Sequence, residues 1–496
     1  MKKTILNRAV YIFLIPVFFV LHGYAENFGL VTVADCLWLV SSYFIAAICI
    51  HLVFYFIYKN HSKAALLAAI LLSFNFFFGA IQDFFKIHVP VFSRYSMLLP
   101  AFFILLFSLM FYLHKRKVNF LKFTFFFNIL LLIYLIVDVT DIVLKSLSPQ
   151  PDKLSIYGSA EKDSYTACTD CKNPDIYFLL FDEYCSSEGL RQTFNYDNSS
   201  LDSFLLQRGF QQQRHSKSNY NFTPFSMASI LNMNYIEGIK NINACSVEDY
   251  ANCNNLIRNN SVIRFLSSRY YDIVNYSIFD LAGNPSVVGS SLLPVKTKLI
   301  TEQTFTRRFM KDVGWHFYTG PFEIKWLTKN KLQEELNNNN KLLDLVKKET
   351  EKKSSRSRFI YAHFEMPHPP FYYDKYNRLR PAQALVEEVD GTKTDSYLGY
   401  LPYTNSKIKE LLDTIQKNTR HNAVIILMGD HGYRVKVAGA SGDHFFQNLN
   451  AVYFPDKKYE SISDSITGVN QFRTLFNHLF KQSFPLLKDS FIFLRD

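Results

Sequence analysis

The N-terminal part of this chain consists of apolar stretches long enough to cross a lipid bilayer. A helix needs roughly 20 consecutive apolar residues to span the hydrocarbon core. Five stretches approach that length, at residues 9–25, 35–58, 64–85, 97–113 and 122–143. The sequence therefore predicts an α-helical membrane domain with five spans over residues 1–145.

The basic residues between these stretches predict the orientation of the domain. Lys and Arg accumulate in the loops that stay in the cytoplasm. They cluster before the first stretch, between the second and third, and between the fourth and fifth: Lys2, Lys3, Arg8; Lys59, Lys63; Lys115, Arg116, Lys117. Five spans place all three clusters on one side, which predicts a cytoplasmic N-terminus and an external chain after about residue 145. A cleaved signal peptide ending near Gly23-Tyr24-Ala25 is the alternative for the first stretch, and it leaves the later topology unchanged.

Composition and charge argue against a nucleic-acid partner. The formal net charge is +11, but part of it belongs to the loops that orient the membrane domain. The remainder of the chain is predicted to be external, and it shows no interleaving of basic and aromatic residues of the kind that binds nucleic acids. We therefore expect a membrane partner and no nucleic acid.

The chain after the last apolar stretch has the pattern of an α/β domain. Residues 146–174 are rich in Ser, Pro and Lys and read as a juxtamembrane linker. Strand-like runs then cover Ile176–Phe181, Phe210–His215, Tyr271–Phe279, Phe359–Phe364 and the residues from Ala423, and helical patterns cover Ser200–Arg208, Ser226–Tyr235, Tyr403–Gln416 and an exposed helix at 328–356. This alternation predicts one α/β domain with a mainly parallel sheet over residues 175–496.

The cysteines of the external region offer two local pairs. Cys168 and Cys171 form a C-x-x-C motif, and Cys245 and Cys253 are eight residues apart. Outside the cytoplasm both pairs can form disulfides. Free thiols are the alternative, and a metal site at Cys168 is the weakest interpretation because two further ligands are not found nearby.

Two of the predicted strands deliver acidic residues where they end. Ile176–Tyr184 reads IYFLLFDEY and ends at Asp182-Glu183, whereas Val424–Tyr433 reads VIILMGDHGY and ends at Asp430-His431. The carboxyl ends of neighbouring parallel strands share one edge of the sheet. Two carboxylates and an imidazole that converge there form a set of metal ligands. Asp182 is the favoured ligand of the first strand, and Glu183 is a second candidate.

A threonine at a predicted helix start is the candidate nucleophile. In Asn221–Ser229, NFTPFSMAS, Pro224 suits the first helical position and Thr223 the N-cap before it. Free N–H groups at a helix N-terminus favour anions. A divalent cation that binds the Thr223 oxygen makes it nucleophilic near neutral pH. The plainer interpretation is a capping threonine without chemistry.

Three histidines are further candidates for the site. His368 lies in a proline-rich turn within YAHFEMPHPPFYYD and suits anion binding or proton transfer. His363, on the strand before that turn, is either a substrate contact or a buried structural residue. His444, in SGDHFF, is either an extra ligand or substrate contact or an ordinary loop residue.

These residues together resemble a known family. The order of a carboxylate after the first strand, Thr223 at a helix start, His368-Pro369-Pro370-Phe371 and a late Asp430-His431-Gly432 resembles the sulfatase-like branch of the alkaline phosphatase superfamily. The membrane spans ahead of it resemble lipoteichoic acid synthases and lipid A phosphoethanolamine transferases. The resemblance covers roughly residues 175–480 for the enzyme domain and residues 1–145 for the architecture alone.

The resemblance implies a double displacement through a phospho-threonine at Thr223. One Zn or Mn would be held by Asp182, Asp430, His431 and the Thr223 oxygen, with Glu183 as the alternative to Asp182 because the named transferases carry Glu there. His368 would steady the transferred group or protonate the leaving oxygen. The implied setting is the bacterial cytoplasmic membrane, with a phospholipid donor and an envelope glycan or lipid acceptor.

The sequence also departs from the family pattern. Sulfatases carry a Cys or Ser, oxidised to formylglycine, in a C-x-P-x-R motif; Phe222 stands at that position and no Arg follows Pro224 at the expected place. A membrane-anchored phosphotransferase is therefore the leading hypothesis. An external phosphate or sulfate ester hydrolase and an inactive scaffold for envelope polysaccharide assembly are the alternatives.

Overall fold

The computed structural model describes most of the chain. It covers residues 8–116, 120–147, 155–156, 165–166, 168, 171–288, 297–317, 324–388 and 391–495. The basic residues Lys2, Lys3 and Lys117 and most of the predicted linker lie outside the described residues. By their internal contacts, the residues form two compact units: Met1–Pro151 with Pro294–Trp315, and Asp152–Leu293 with His316–Asp496.

The elements alternate between the two units in chain order. The helices are α1 (Tyr11–Glu26), α2 (Val33–Tyr58), α3 (His61–His88), α4 (Tyr95–Lys115), α5 (Leu121–Leu147), α6 (Ser187–Phe194), α7 (Ser199–Gln207), α8 (Thr223–Asn232), α9 (Val247–Arg258), α10 (Ser261–Ser268), α11 (Lys298–Thr301), α12 (Phe305–Asp312), α13 (Lys325–Glu351), α14 (Ala382–Glu387), α15 (Thr394–Asn418) and α16 (Gly468–Phe480). The strands are β1 (Ser155–Ile156), β2 (Ile176–Phe181), β3 (Gln211–Gln212), β4 (Ile236–Glu237), β5 (Asp272–Tyr276), β6 (Arg358–Phe364), β7 (Val424–Met428) and β8 (Asn450–Tyr453). Short 3-10 helices cover Pro90–Ser93, Gly314–Phe317 and Asp443–Phe445.

The N-terminal unit contains four helices that can cross a membrane. Within the described residues, α2 to α5 are long and apolar enough, at 21 to 28 residues each. Helix α1 has 16 residues and a length of about 24 Å, which falls short of the roughly 30 Å core of a bilayer. The prediction of five spans is therefore corrected to four. Two spans separate Lys59 and Lys63 from Lys115 and Arg116, so these two clusters still share one side, and the chain after α5 still lies on the other. Arg8, which precedes α2, does not share their side in a count of four, so the predicted cytoplasmic N-terminus does not follow from this count.

The second unit is built around a six-stranded sheet. The strand order is β3-β8-β7-β2-β6-β5. Strands β7, β2, β6 and β5 run parallel, and β8 and β3 are antiparallel to their neighbours. All six residues of β2 are buried, as expected for a central strand covered on both faces. The predicted α/β fold with a mainly parallel sheet is confirmed.

Several predicted elements differ in extent. The strand predicted at Phe210–His215 contains only Gln211–Gln212, because the backbone N–H of His215 already bonds to Asp464 instead of the sheet. The helix predicted as exposed at 328–356 is α13, whose Leu332, Leu336 and Val346 lie in the core. These apolar residues recur at helical spacing on one face of α13. The run of Asn residues among them led to the prediction of an exposed helix.

The cysteine pairs behave differently from one another. Cys168 and Cys171 form a disulfide, which is one of the interpretations left open for the C-x-x-C motif. Cys245 and Cys253 are not joined by a disulfide. Cys253 is buried in α9 and Cys245 lies before that helix, so the second predicted pair is wrong.

A buried arginine connects three segments beneath the sheet. Arg358, the first residue of β6, pairs with Asp175 at 2.6 Å and with Glu349 of α13 at 3.0 Å. The side chains of Arg358 and Glu349 are 8% and 5% exposed. Removing Arg358 takes the cation from Asp175 and leaves the buried Glu349 with Lys352 as its remaining ion-pair partner among the described residues. The loss of one partner of a buried pair costs about 3–5 kcal/mol.

We expect Arg358→Met to lower the free energy of unfolding by about 3–5 kcal/mol, measured by denaturant unfolding of the detergent-solubilised full chain. Lys347→Met is the matched control because it breaks the more exposed pair with Glu410, which is worth at most about 1 kcal/mol. Equal destabilisation by the two variants would contradict the structural role of Arg358.

Candidate active site

Two strand ends meet at the candidate metal site. Asp182 follows β2, and Asp430 and His431 follow β7, the parallel neighbour of β2. Each of the three side chains offers one ligand atom, and these atoms all lie within 4.8 Å of one another. All three side chains are fully buried. The structure thus brings together the residues that the sequence analysis selected from two distant segments.

The two carboxylates are left without sufficient hydrogen-bond donors. Asp182 Oδ1 and Asp430 Oδ2 are buried and have no partner among the described residues. Burial raises the pKa of Asp182 well above its ordinary value, and the charge of Asp430 raises it further. Buried carboxylate oxygens are stable when a cation or a donor compensates them. The donor set therefore fits one divalent cation.

His431 presents a free lone pair to the same point. Its Nδ1 donates a hydrogen bond to the carbonyl of Gly432 at 2.7 Å, which places the proton on Nδ1 and leaves Nε2 as an acceptor. Nε2 lies 3.2 Å from Asp430 Oδ2 and 3.9 Å from Asp182 Oδ1. A ligating histidine is commonly oriented by a carbonyl in this way. Two carboxylates and one imidazole suit Zn or Mn.

Thr223 is the first residue of α8 and faces this cluster. Its Oγ1 lies 3.1 Å from His431 Nε2, and the residue is 6% exposed. The predicted capping role is wrong, because Phe222 is the N-cap and no side chain caps the helix. The hydroxyl points to His431 instead of a backbone N–H. Ser226, one turn further along α8, donates a hydrogen bond to the carbonyl of Asp430 at 2.6 Å. This bond connects α8 to the residues that follow β7.

Glu183 lies beside the cluster but serves the neighbouring loop. Its backbone N–H donates to Asp430 Oδ1 at 2.9 Å, and its φ of +63° is an uncommon conformation for a non-glycine residue. Its carboxylate accepts from the backbone N–H of Arg434 at 2.8 Å. The ligand atoms within 4.8 Å of one another come from Asp182 and not from Glu183, which favours Asp182 as the ligand.

His363 lies behind Asp182. Its Nε2 is 3.3 Å from Asp182 Oδ2, and its Nδ1 is 3.2 Å from the hydroxyl of Tyr361. Burial lowers the pKa of His363 to about 4. A neutral His363 that donates to Asp182 and accepts from Tyr361 orients the metal ligand. This geometry indicates that His363 orients Asp182, and it does not support the predicted substrate contact.

His368 is paired with an arginine that the sequence analysis missed. Its Nδ1 lies 2.6 Å from the carbonyl of Pro369, and Arg434 Nη2 donates to its Nε2 at 2.6 Å. Burial and the neighbouring Arg434 hold the pKa of His368 well below its ordinary value. Arg434 follows Asp430-His431-Gly432 by two residues, so a cation just beyond the metal-ligand motif was the available signal.

His444 lies outside the cluster of candidate metal ligands. Its ring nitrogen Nε2 lies 3.0 Å from the carbonyl of Val435, and its ring packs against Phe445 and Phe194. It is not one of the residues whose ligand atoms cluster with Asp430. The structure therefore favours the loop-residue interpretation over an extra ligand.

Comparison with known proteins finds one family model that matches part of the chain. A family model described as Sulfatase matches residues 295–472. The matched span includes His363, His368, Asp430 and His431 and begins after Thr223. No curated protein matches the chain by sequence.

Comparison with solved structures finds weak similarity to domains of this kind from several bacteria. The C-terminal periplasmic domain of EcEptC from Escherichia coli in complex with Zn is 8% identical, with 67% of this chain and 92% of that chain covered and a TM-score of 0.41. The corresponding domain of the phosphoethanolamine transferase EptC from Campylobacter jejuni is 11% identical, with coverages of 64% and 92% and a TM-score of 0.36. The phosphonate monoester hydrolase SpPMH from Silicibacter pomeroyi is 13% identical, with coverages of 64% and 75% and a TM-score of 0.40. Such low values do not support the transfer of a function from these proteins.

We expect Asp430→Asn to lower the affinity for Zn or Mn at least about tenfold, because it removes one of two ligating charges. Metal per chain, measured by elemental mass spectrometry after dialysis, is the readout. Asp413→Asn is the control, since Asp413 is 46% exposed and pairs with Arg208. Equal metal content in wild type and Asp430→Asn would contradict the site.

Fold and family match lead to the same conclusion. The sheet is mainly parallel, and the metal ligands lie at the carboxyl ends of adjacent strands. The family match covers the later of these strands and its Asp430-His431 pair. Part of this chain, residues 295–472, is therefore similar to the Sulfatase family, and most of it lies in a unit with a mainly parallel α/β sheet.

Proposed function

We propose that the chain is a membrane-anchored, metal-dependent phosphotransferase that acts through a covalent phospho-threonine at Thr223. One observation carries the proposal: the Thr223 hydroxyl lies 3.1 Å from His431 Nε2, at the edge of a buried Asp182/Asp430/His431 cluster. A threonine that only caps a helix does not require a buried cluster of metal-ligand side chains beside its hydroxyl.

Asp182, Asp430 and His431 would hold one divalent cation, Zn or Mn, whose charge lowers the pKa of a nearby hydroxyl and so makes it a better nucleophile. In the first step Thr223 Oγ forms a bond to the donor phosphorus. The bond between that phosphorus and the donor oxygen breaks. The donor leaves as an alcohol, with the proton that Thr223 gave up.

The second step reverses the first with a different alcohol. An acceptor hydroxyl attacks the phosphorus of phospho-Thr223, and the bond to Thr223 Oγ breaks. The acceptor becomes a phosphodiester, and Thr223 regains its proton. If water takes the place of the acceptor, the same site performs hydrolysis.

Arg434 is the residue best suited to hold the transferred group. A guanidinium forms paired hydrogen bonds with phosphate oxygens and stabilises charge that develops on them. His368 accepts from Arg434 at Nε2, and its Nδ1 lies against the carbonyl of Pro369. Because both ring nitrogens are engaged, His368 serves to position Arg434 rather than to donate a proton. This revises the role that the resemblance implies for His368.

The membrane helices support a lipid donor. Helices α2 to α5 anchor the chain in a membrane, and the predicted topology places the α/β unit outside the cytoplasm of a bacterium. The disulfide between Cys168 and Cys171 agrees with that compartment. We therefore propose a phospholipid as donor and an envelope glycan or lipid as acceptor.

The second candidate is an external hydrolase of phosphate or sulfate esters. The Sulfatase family match over residues 295–472 favours it. The formylglycine route is not open to this chain, since Phe222 occupies the position of the oxidised residue and Thr223 cannot replace it. Hydrolysis would therefore use Thr223 as the nucleophile and water as the acceptor.

The test is the mass of the full-length protein after incubation with phosphatidylethanolamine or phosphatidylglycerol. We expect an adduct on Thr223 that corresponds to the donor headgroup and disappears when an acceptor alcohol is added. Thr223→Ala should carry no adduct, whereas Thr223→Ser keeps the nucleophilic oxygen and should retain part of it. Thr414→Ala, on α15, is the matched control and should behave as the wild type.

The outcomes distinguish the candidate functions. Rapid turnover of a soluble aryl phosphate or sulfate without lipid would favour the hydrolase. Absence of both an adduct and any turnover in the metal-loaded wild type would contradict catalysis and leave the scaffold hypothesis.

We expect Arg434→Gln to lower kcat/KM about 10²- to 10³-fold, because a donor aimed at the developing charge is lost. Arg434→Lys keeps the charge but not the paired geometry, so its loss should be intermediate. Metal content should be unchanged in both variants, and Arg191→Gln, which alters an exposed pair with Glu188, should keep full activity. A loss of metal in Arg434→Gln would contradict the assigned role.

A further inference from the structure

A segment from the middle of the chain belongs to the N-terminal unit. Residues Pro294–Trp315 group with the membrane helices, and α12 packs against them with one aromatic face. Phe305 contacts Phe74 and Phe78 of α3, with ring centroids 5.8 and 5.1 Å apart. Phe309, one turn later, contacts Tyr95 of α4 at 5.9 Å. The sequence analysis assigned this segment to the α/β domain.

Polar contacts fix the segment on the C-terminal third of α3. Arg308 donates two hydrogen bonds to Asp83, at 2.7 and 2.6 Å. The backbone N–H of Gly79 donates to the carbonyl of Gln303 at 2.7 Å. A Cβ on Gly79 would lie 2.8 Å from Gln303, so the close approach requires glycine there. The docking is therefore specific and not a loose surface contact.

The opposite face of the segment carries an excess of positive charge. Glu302 lies 3.6 Å from Arg307 Nε and 3.5 Å from Lys311 Nζ, and Lys298 is close enough for Arg307 to act on it. Burial, and then repulsion by Arg307, lower the pKa of Lys298. One carboxylate thus faces three cations. Arg307 and Lys311 remain 44% and 69% exposed. We call Lys298, Arg307 and Lys311 the basic cluster.

The positive-inside rule does not account for the basic cluster. Helix α3 begins beside Lys59 and Lys63 and is long and apolar enough to cross a membrane, whereas the segment docks near the other end of α3. These cations therefore lie on the side opposite to the loops that orient the protein. Another role is needed for them.

The segment and the end of α3 on which it docks also carry exposed apolar surface. Phe84 and Ile87, at the end of α3, are 57% and 77% exposed, and Met310 of α12 is 44% exposed. The boundary of a bilayer presents phosphate groups next to acyl chains, and amphipathic basic helices bind there. Both components of that ligand have a counterpart in the segment or at the end of α3 on which it docks.

We propose that the basic cluster binds the headgroup phosphate of an anionic phospholipid. Lys298, Arg307 and Lys311 supply the charge, and the exposed apolar side chains of α3 and α12 accept the acyl chains. The site lies within the N-terminal unit alone, so it does not depend on the proposed phosphotransfer. Arg308 is not part of it, because Asp83 already neutralises that guanidinium.

The test is native mass spectrometry of the full-length protein in detergent with added phosphatidylglycerol or phosphatidylcholine. We expect the wild type to retain phosphatidylglycerol in preference to phosphatidylcholine. The double variant Arg307→Gln/Lys311→Gln should retain about tenfold less phosphatidylglycerol. It leaves the Arg308–Asp83 anchor intact, and an unchanged unfolding temperature would show that the fold is preserved.

The double variant Lys59→Gln/Lys115→Gln is the matched control, since it removes two cations from helix ends of the same unit. It should retain phosphatidylglycerol as the wild type does. Equal retention of the two lipids by the wild type, or equal losses in the two double variants, would overturn the proposal. Because the readout is lipid retention, failure of the phosphotransfer proposal would leave this result unaffected.

Discussion

Two carboxylates buried at the ends of adjacent strands are the interaction on which the site depends. Asp182 and Asp430 face each other without solvent, and each keeps one oxygen without a hydrogen-bond donor. A bound cation, or a proton on Asp182, whose pKa burial raises, would balance their repulsion. The pairing of β2 with β7 sets the distance between the two carboxylates. The register of the sheet therefore determines whether both of them can bind the same cation.

The residues next to this carboxylate pair position the site through hydrogen bonds. Glu183, the residue after Asp182, bonds Asp430 through its backbone and the Arg434 loop through its carboxylate. Its positive φ allows one residue to serve both sides of the site. His363 contacts Asp182 through a ring nitrogen, and His368 accepts a hydrogen bond from Arg434, so each histidine orients its partner. Arg434, the proposed anion-binding residue, is thus positioned by Glu183 and His368, and Asp182 is oriented by His363.

How much was predictable differs between residues. The apolar runs before Asp182 and Asp430 indicated buried parallel strands, and geometry then required their ends to meet. The orientation of Glu183, the engagement of His368 and the presence of Arg434 in the site were not predictable, because each depends on a neighbour from another loop. The span count failed for α1 because its apolar stretch, residues 9–25, is itself short for a membrane span, and the helix is only 16 residues long.

The sequence by itself determined the four long apolar helices α2 to α5, the α/β alternation and the residue types available to bind a metal, since these follow from hydrophobicity, periodicity and side-chain chemistry. Tertiary structure decided which of Asp182 and Glu183 joins the cluster, what Thr223 faces and where residues 294–315 dock. The reason is physical: contacts between distant segments depend on strand order, backbone conformation and close packing, and none of these leaves a local pattern in the chain.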